Sequence, residues 1–125
     1  MILCYPVLCY FENTHKGTFN NLIGTKEPTE EQVNEWSVER NVEERTCPTF
    51  LLHTSDDGSV NVLNNVYMQQ ALAKHHIPFE VHIYPHGPHG IALANEITAS
   101  GPAMINSSIA EWPRLAAAWM QNEKF

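Results

Sequence analysis

Apolar residues along the 125-residue chain gather in short runs whose period changes from one to the next. Residues 2 to 10, ILCYPVLCY, are apolar almost throughout, which suits a strand buried on both faces of a parallel sheet. Pro6 lies inside that run, so the strand either ends early or bulges there. A second run, PTFLLHT at 48 to 54, leads into the turn-forming cluster SDDGSVN. VLNNVYMQQALAKHH then places Leu63, Tyr67 and Ala71 in one helical row, with Met68 and Leu72 one residue round the face. Ile77-Pro78 stops this helix, and FEVHIY (79 to 84) follows as a third strand, with Phe79, Val81 and Ile83 alternating against Glu80 and His82. Past a Gly/Ala/Ser-rich loop, EWPRLAAAWMQ predicts a final helix with Pro113 in its first turn and Trp112, Leu115, Ala116 and Trp119 on one face. Residues 11 to 46 are mostly polar. TEEQVNEWSVE within them reads as a solvated helix capped by Thr29, with acidic residues in its first turn and Val33 and Trp36 on one face.

The resulting order is strand, long polar excursion, strand, helix, strand, loop, helix. Strands alternating with helices predict an α/β fold with a parallel sheet of about three strands and flanking helices. In such sheets, chemistry gathers at the carboxyl ends of the strands. Two loops that leave those ends carry ionisable groups: TSDDGSV after the second strand and PHGPHG after the third.

Composition narrows the function classes. A chain that is 43% hydrophobic and 17% charged, with three tryptophans, fits one soluble globular domain spanning 1–125. A net charge of −7, with only seven Lys and Arg, argues against nucleic-acid and anionic-membrane partners. No apolar run approaches the roughly 20 residues that cross a bilayer, and the N-terminus has no basic region before its apolar stretch. Cys4, Cys9 and Cys47 form no C-x-x-C pair, and reduced thiols in a cytoplasmic protein are the reading they favour.

Asp56 and Asp57 are the only aspartates in the chain, and they sit together on one strand-exit turn. A carboxylate there can accept a hydrogen bond from an imidazole on the neighbouring strand's exit loop, fixing its tautomer and stabilising the imidazolium when the ring acts as a base. The acid precedes the histidines by about thirty residues, one helix plus one strand, as the acid-then-histidine order of a Ser-Asp-His triad in an α/β-hydrolase requires. Two other readings stay open at this point. Aspartate is a favoured turn residue whatever the function. His82, His86 and His89, with Glu80, could also form a metal site, although no carboxylate stands where a helical H-E-x-x-H motif would place one.

The stretch FLLHTSDDGSVNVLNNVYMQQALAKHHIPFEVHIYPHGPHGIAL resembles the C-terminal region of α/β-hydrolase esterases and lipases, specifically the acetyl-esterase or acetyl-xylan-esterase-like group. In that group one strand ends in H-x-x-D-D-x-x-V-P and a later one in G-x-H-G. LCYPVLCY and WPRLAAAWM look like the family's strand after the nucleophile helix and its last helix, so the resemblance covers nearly the whole chain. It implies a three-layer, partial α/β-hydrolase fold and a serine carboxylesterase that needs no cofactor or metal and acts on short acyl, chiefly acetyl, esters, acetylated sugars among them. D-x-x-V falls on Asp57-Gly58-Ser59-Val60, making Asp57 the triad acid, and G-x-H-G falls on Gly87-Pro88-His89-Gly90, making His89 the general base. Asp56 is then a turn residue and His86 a bystander, Asn61 replaces the family's proline, and residues 11–46 read as a cap-like excursion.

The resemblance begins after the family's nucleophile. No serine lies two residues after any glycine, so there is no G-x-S-x-G elbow, and Ser37, Ser55, Ser59, Ser100, Ser107 and Ser108 lack the strand-turn-helix setting that activates a serine. The oxyanion-hole donors that the family places near that elbow are missing too. The chain by itself is therefore expected to be a very poor esterase, with Met1 either internal to a longer esterase or opening a degraded remnant. The alternative is a non-catalytic remnant or an oligomerising module of the same fold. A half-hydrolase exposes the edge of its first strand, which predicts a homo-oligomer formed there.

Overall fold

The computed structural model describes residues 1–124. Three parallel strands, β1 (Ile2–Cys4), β2 (Thr49–Thr54) and β3 (Phe79–Tyr84), form one sheet in that spatial order. Ile2 sits opposite Phe50, and Thr49 opposite Phe79. Every residue of the central strand β2 is buried. Its side chains divide by parity between two faces, as the pleat demands. Leu51 joins Leu8, Cys9, Val42, Met68, Leu72 and Ile77, most of them brought by the helix that follows β2 and the segment before it. Phe50 and Leu52 pack on the other face against Ala116 and Trp119 of the last helix. The α/β arrangement expected from the sequence, a three-stranded parallel sheet covered on both faces, is the one observed.

The described residues form the α-helices α1 (Lys16–Ile23), α2 (Glu30–Trp36), α3 (Leu63–Lys74) and α4 (Trp112–Asn122), of which α3 and α4 pack on the sheet. α2 opens with the expected Thr29 cap. The Thr29 hydroxyl accepts from the Gln32 N–H at 3.2 Å, and the Gln32 side chain accepts from the Thr29 N–H at 3.0 Å. α1 has no counterpart in the hydrophobic pattern. Gly17, Thr18, Asn20 and Asn21 are weak helix formers, and only Phe19 of this helix is buried. The helix stops where Gly24 adopts φ +81° and returns its N–H to the Asn20 carbonyl.

The first strand is shorter than the apolar run 2–10 suggests. It ends at Cys4, Tyr5 takes φ +42°, and Pro6 has no N–H to continue the ladder. The backbone beyond is held by a side chain instead. Buried Asn64 of α3 accepts from the N–H groups of Leu8 and Cys9 at 2.8 and 2.9 Å. These residues are core because of packing on α3, not because of sheet pairing. On β3, Ile83 is exposed whereas Phe79 and Val81 are half-buried, since it lies beyond the reach of the cluster against which those two pack.

Candidate active site

The carboxyl end of β2 delivers Thr54-Ser55-Asp56-Asp57 into a tight turn. Asp57 Oδ1 accepts from the backbone N–H groups of Ser59 and Val60 at 2.8 and 2.9 Å, closing the turn. Its side chain is fully covered. Oδ2 faces His89, whose Nδ1 stands 2.8 Å away. A carboxylate can only accept, so Nδ1 of His89 carries the hydrogen and Nε2 presents a lone pair. Among the described residues, nothing bonds Nε2 of His89. Burial pushes the Asp57 pKa up, but the Val60 N–H, the His89 ring and the Ser59 N–H together outweigh it and hold the carboxyl below its ordinary value.

The loop carrying His89 is clipped at several points. Thr54 donates its hydroxyl to the Gly87 carbonyl at 2.6 Å, and Ser55 donates its own to the Pro85 carbonyl at 2.9 Å. Asp56, expected as a turn residue, and His86, expected as a bystander, pair with each other. Asp56 Oδ2 is 2.9 Å from His86 Nδ1, while Oδ1 accepts the Gly87 N–H at 2.9 Å. The His86 ring and the Gly87 N–H depress the Asp56 pKa. Gly87 is packed so tightly that a Cβ there would lie 2.8 Å from Thr54 Cγ2 and 3.0 Å from Ile91 Cδ1. Gly90 has φ +74° and open space around it, so its need for glycine is conformational. A cleft of about 230 Å³ runs along this loop, lined by Asp56, His86, Gly87, Pro88, Ala103 and Asn106.

Two residues at the site escaped the sequence reading. Tyr5, at the strained end of β1, sets its ring edge-on to His89 at 5.0 Å between centroids. His53 is buried on β2, with Nε2 3.4 Å from Asp57 Oδ2. Its signals were the H of the H-x-x-D-D motif, to which no role was given, and its place as a polar residue inside an otherwise apolar strand, which must find buried partners. The set considered for metal divides into separate pairs: His82 with Glu80, His86 with Asp56 and His89 with Asp57. Among the described residues, no group of three or more His, Cys, Asp or Glu side chains is arranged to hold a metal ion. None of their helices is long and apolar enough to cross a membrane.

The six serines lie elsewhere or are already engaged. Ser55 serves the Pro85 carbonyl, buried Ser37 receives the Tyr10 N–H, and Ser100 donates to Met104. No hydrogen bond joins any of them to His89 among the described residues.

The sequence model of the prolyl oligopeptidase family matches residues 4–101. A Butyrivibrio fibrisolvens protein, endo-1,4-beta-xylanase B, is 36% identical over 101 residues, which are 81% of this chain and 16% of that protein. The crystal structure of an acetyl ester-xyloside bifunctional hydrolase from Caldicellulosiruptor lactoaceticus superimposes with a TM-score of 0.87 at 40% identity, covering 99% of this chain and 42% of the hydrolase. A carboxylesterase from Lactobacillus plantarum follows at 0.81 and 30%, covering 98% of this chain and 44% of the esterase. The chain thus spans less than half the length of each of these relatives. With the sheet, the flanking helices and the family match all in agreement, the chain belongs to the prolyl oligopeptidase family and shares the α/β-hydrolase fold of its esterase relatives.

Proposed function

We propose that the chain supplies the acid–base half of a serine carboxylesterase, with His89 as general base and Asp57 as the acid that orients it. The observation that carries this reading is the 2.8 Å contact between His89 Nδ1 and a fully covered Asp57 carboxylate, which leaves Nε2 as a free base. In the reaction, Nε2 takes the proton of an attacking serine hydroxyl as the new acyl C–O bond forms. It then gives that proton to the departing alkoxide, and water repeats the sequence to release the acid. Asp57 stabilises the imidazolium in each half. The substrates proposed are short-acyl, chiefly acetyl, esters, including those on sugars. The xylan-related and ester-related names of the relatives support this choice. The nucleophile is proposed to come from outside these 125 residues, in keeping with the engaged serines and the absence of a G-x-S-x-G elbow. We also propose association of two copies through β1 and residence in the cytoplasm, which the unpaired Cys4, Cys9 and Cys47 support.

The test is hydrolysis of a chromogenic acetate by the full-length protein that carries this sequence. His89→Ala and Asp57→Asn should each lower kcat by about 10⁴-fold, the order seen when a triad loses its tautomer control, and Asp56→Asn should cost far less. Near-normal turnover in His89→Ala, or a larger loss from Asp56→Asn than from Asp57→Asn, would reject the assignment. The 125-residue chain alone should take no label from a fluorophosphonate.

A further inference from the structure

His53 has no solvent exposure, and its Nε2 lies 2.9 Å from the Val60 carbonyl and 3.4 Å from Asp57 Oδ2. Both neighbours are acceptors, so Nε2 carries the hydrogen. Val60 is also the residue whose N–H closes the turn on Asp57 Oδ1. The imidazole therefore ties the far end of that turn back to β2 and touches the same carboxylate oxygen that receives His89. On the other side of the ring, Nδ1 is 3.3 Å from Asn65 Oδ1, while the buried Asn65 Nδ2 has no partner among the described residues. A half-turn of the Asn65 amide brings Nδ2 onto Nδ1. A ring protonated at Nε2 then accepts from Asn65 and donates to the Val60 carbonyl, with the Asp57 carboxylate 3.4 Å from the same N–H.

We infer that His53 is a positioning residue: a buried imidazole, oriented by Asn65, that holds the Asp57 carboxylate at the angle from which it captures His89. The inference rests on the reading of Asp57 and His89 as the acid–base pair, but its test needs no turnover. His53 is fully buried between Asn65 and the Asp57 turn, so it acts through the aspartate and not on substrate.

The experiment is side-chain ¹⁵N NMR of the histidines in the 125-residue chain. Wild-type His53 should be in the Nε2–H form, and His89 should be a single Nδ1–H form with a visible Nδ1 proton. His53→Leu keeps the bulk but not the donor. It should lose the His89 Nδ1 proton signal and leave His89 as a mixture of tautomers. His53→Gln, whose side-chain N–H can take over from Nε2, should restore the signal. An unchanged His89 signal in His53→Leu overturns the inference, as does its loss in both variants. A wild-type His53 in the Nδ1–H form also overturns it, and that measurement needs no variant to fold. If the coupling is observed and the full-length protein hydrolyses no ester, the proposed activity fails and this inference stands.

Discussion

Asp56 and Asp57 are neighbours in sequence with opposite surroundings. The Asp57 side chain is fully covered and held by two backbone N–H groups and His89, whereas Asp56 reaches outward to an exposed His86. The depressed Asp57 pKa gives its contribution to stability a definite sign. The ionised carboxylate is favoured in the folded state, so this contribution is fully present above the unfolded value of about 3.9. It is lost as pH falls through the lower folded value. Urea unfolding measured from pH 6 down to pH 2 should therefore show wild type losing stability faster than Asp57→Asn below about pH 4. Asp56 titrates in the same window in both proteins, so only the difference between the curves counts, and parallel curves would refute the claim. The two loop glycines make a second contrast. Gly87→Ala forces a Cβ against Thr54, Ile91 and Ile109, and overpacking of this kind costs about 1–3 kcal/mol. It should also displace the His89 loop. Gly90→Ala meets no atoms and should lose only the left-handed backbone preference, about 1 kcal/mol. Thermal unfolding together with the His89 Nδ1 proton resonance separates the two. A Gly87→Ala protein with wild-type stability and an unchanged resonance would show that the packing there is loose.

At the scale of elements, the strong periodic signals were readable and the weak ones were not. β2, α3, β3 and α4 follow the apolar runs marked in the sequence, because each buries residues in one of the two clusters that cover the sheet's faces. α1 was not legible. Its residues prefer turns, and it exists because Phe19 is buried edge-on to Tyr10 at 5.3 Å and Gly24 stops the chain there. The end of β1 was misjudged for a related reason. Apolarity reports burial, and Leu8 and Cys9 are buried without being strand, because Asn64 satisfies their N–H groups. This makes Asn64 a strong point and the α2 cap a weak one. Asn64→Ala orphans two buried N–H groups, at about 1–3 kcal/mol each. Thr29→Ala removes a cap worth about 1 kcal/mol from a helix with no buried residue. Denaturant titration should rank Asn64→Ala well above Thr29→Ala in lost stability, and equal losses would contradict this account.

For the molecule as a whole, the question is what covers its sheet edges. β1 pairs only with β2 among the described residues, and beside it Met1, Ile2, Trp119 and Met120 line an apolar cleft of about 360 Å³. An unpaired edge flanked by apolar side chains favours association. The proposed dimer through β1 predicts a concentration-dependent sedimentation coefficient at micromolar concentration. It also predicts that Ile2→Lys, which places a charge on that edge, shifts the chain towards monomer. A monodisperse wild-type monomer would remove the proposal.

The residues alone determined that strands alternate with helices and that two chemically equipped loops leave the carboxyl ends of neighbouring strands. The period of hydrophobic burial is a local property, and an acid about thirty residues before a histidine is visible in any linear reading. The residues alone left Asp56 and Asp57 equivalent, and it was the resemblance to a family motif that pointed to Asp57. Tertiary structure decided how each carboxylate is used. Adjacent side chains on a turn diverge, and a buried carboxylate persists only where donors converge on it. Those donors come from positions 59, 60 and 89, with His53 behind them, on segments that only the folded sheet brings together.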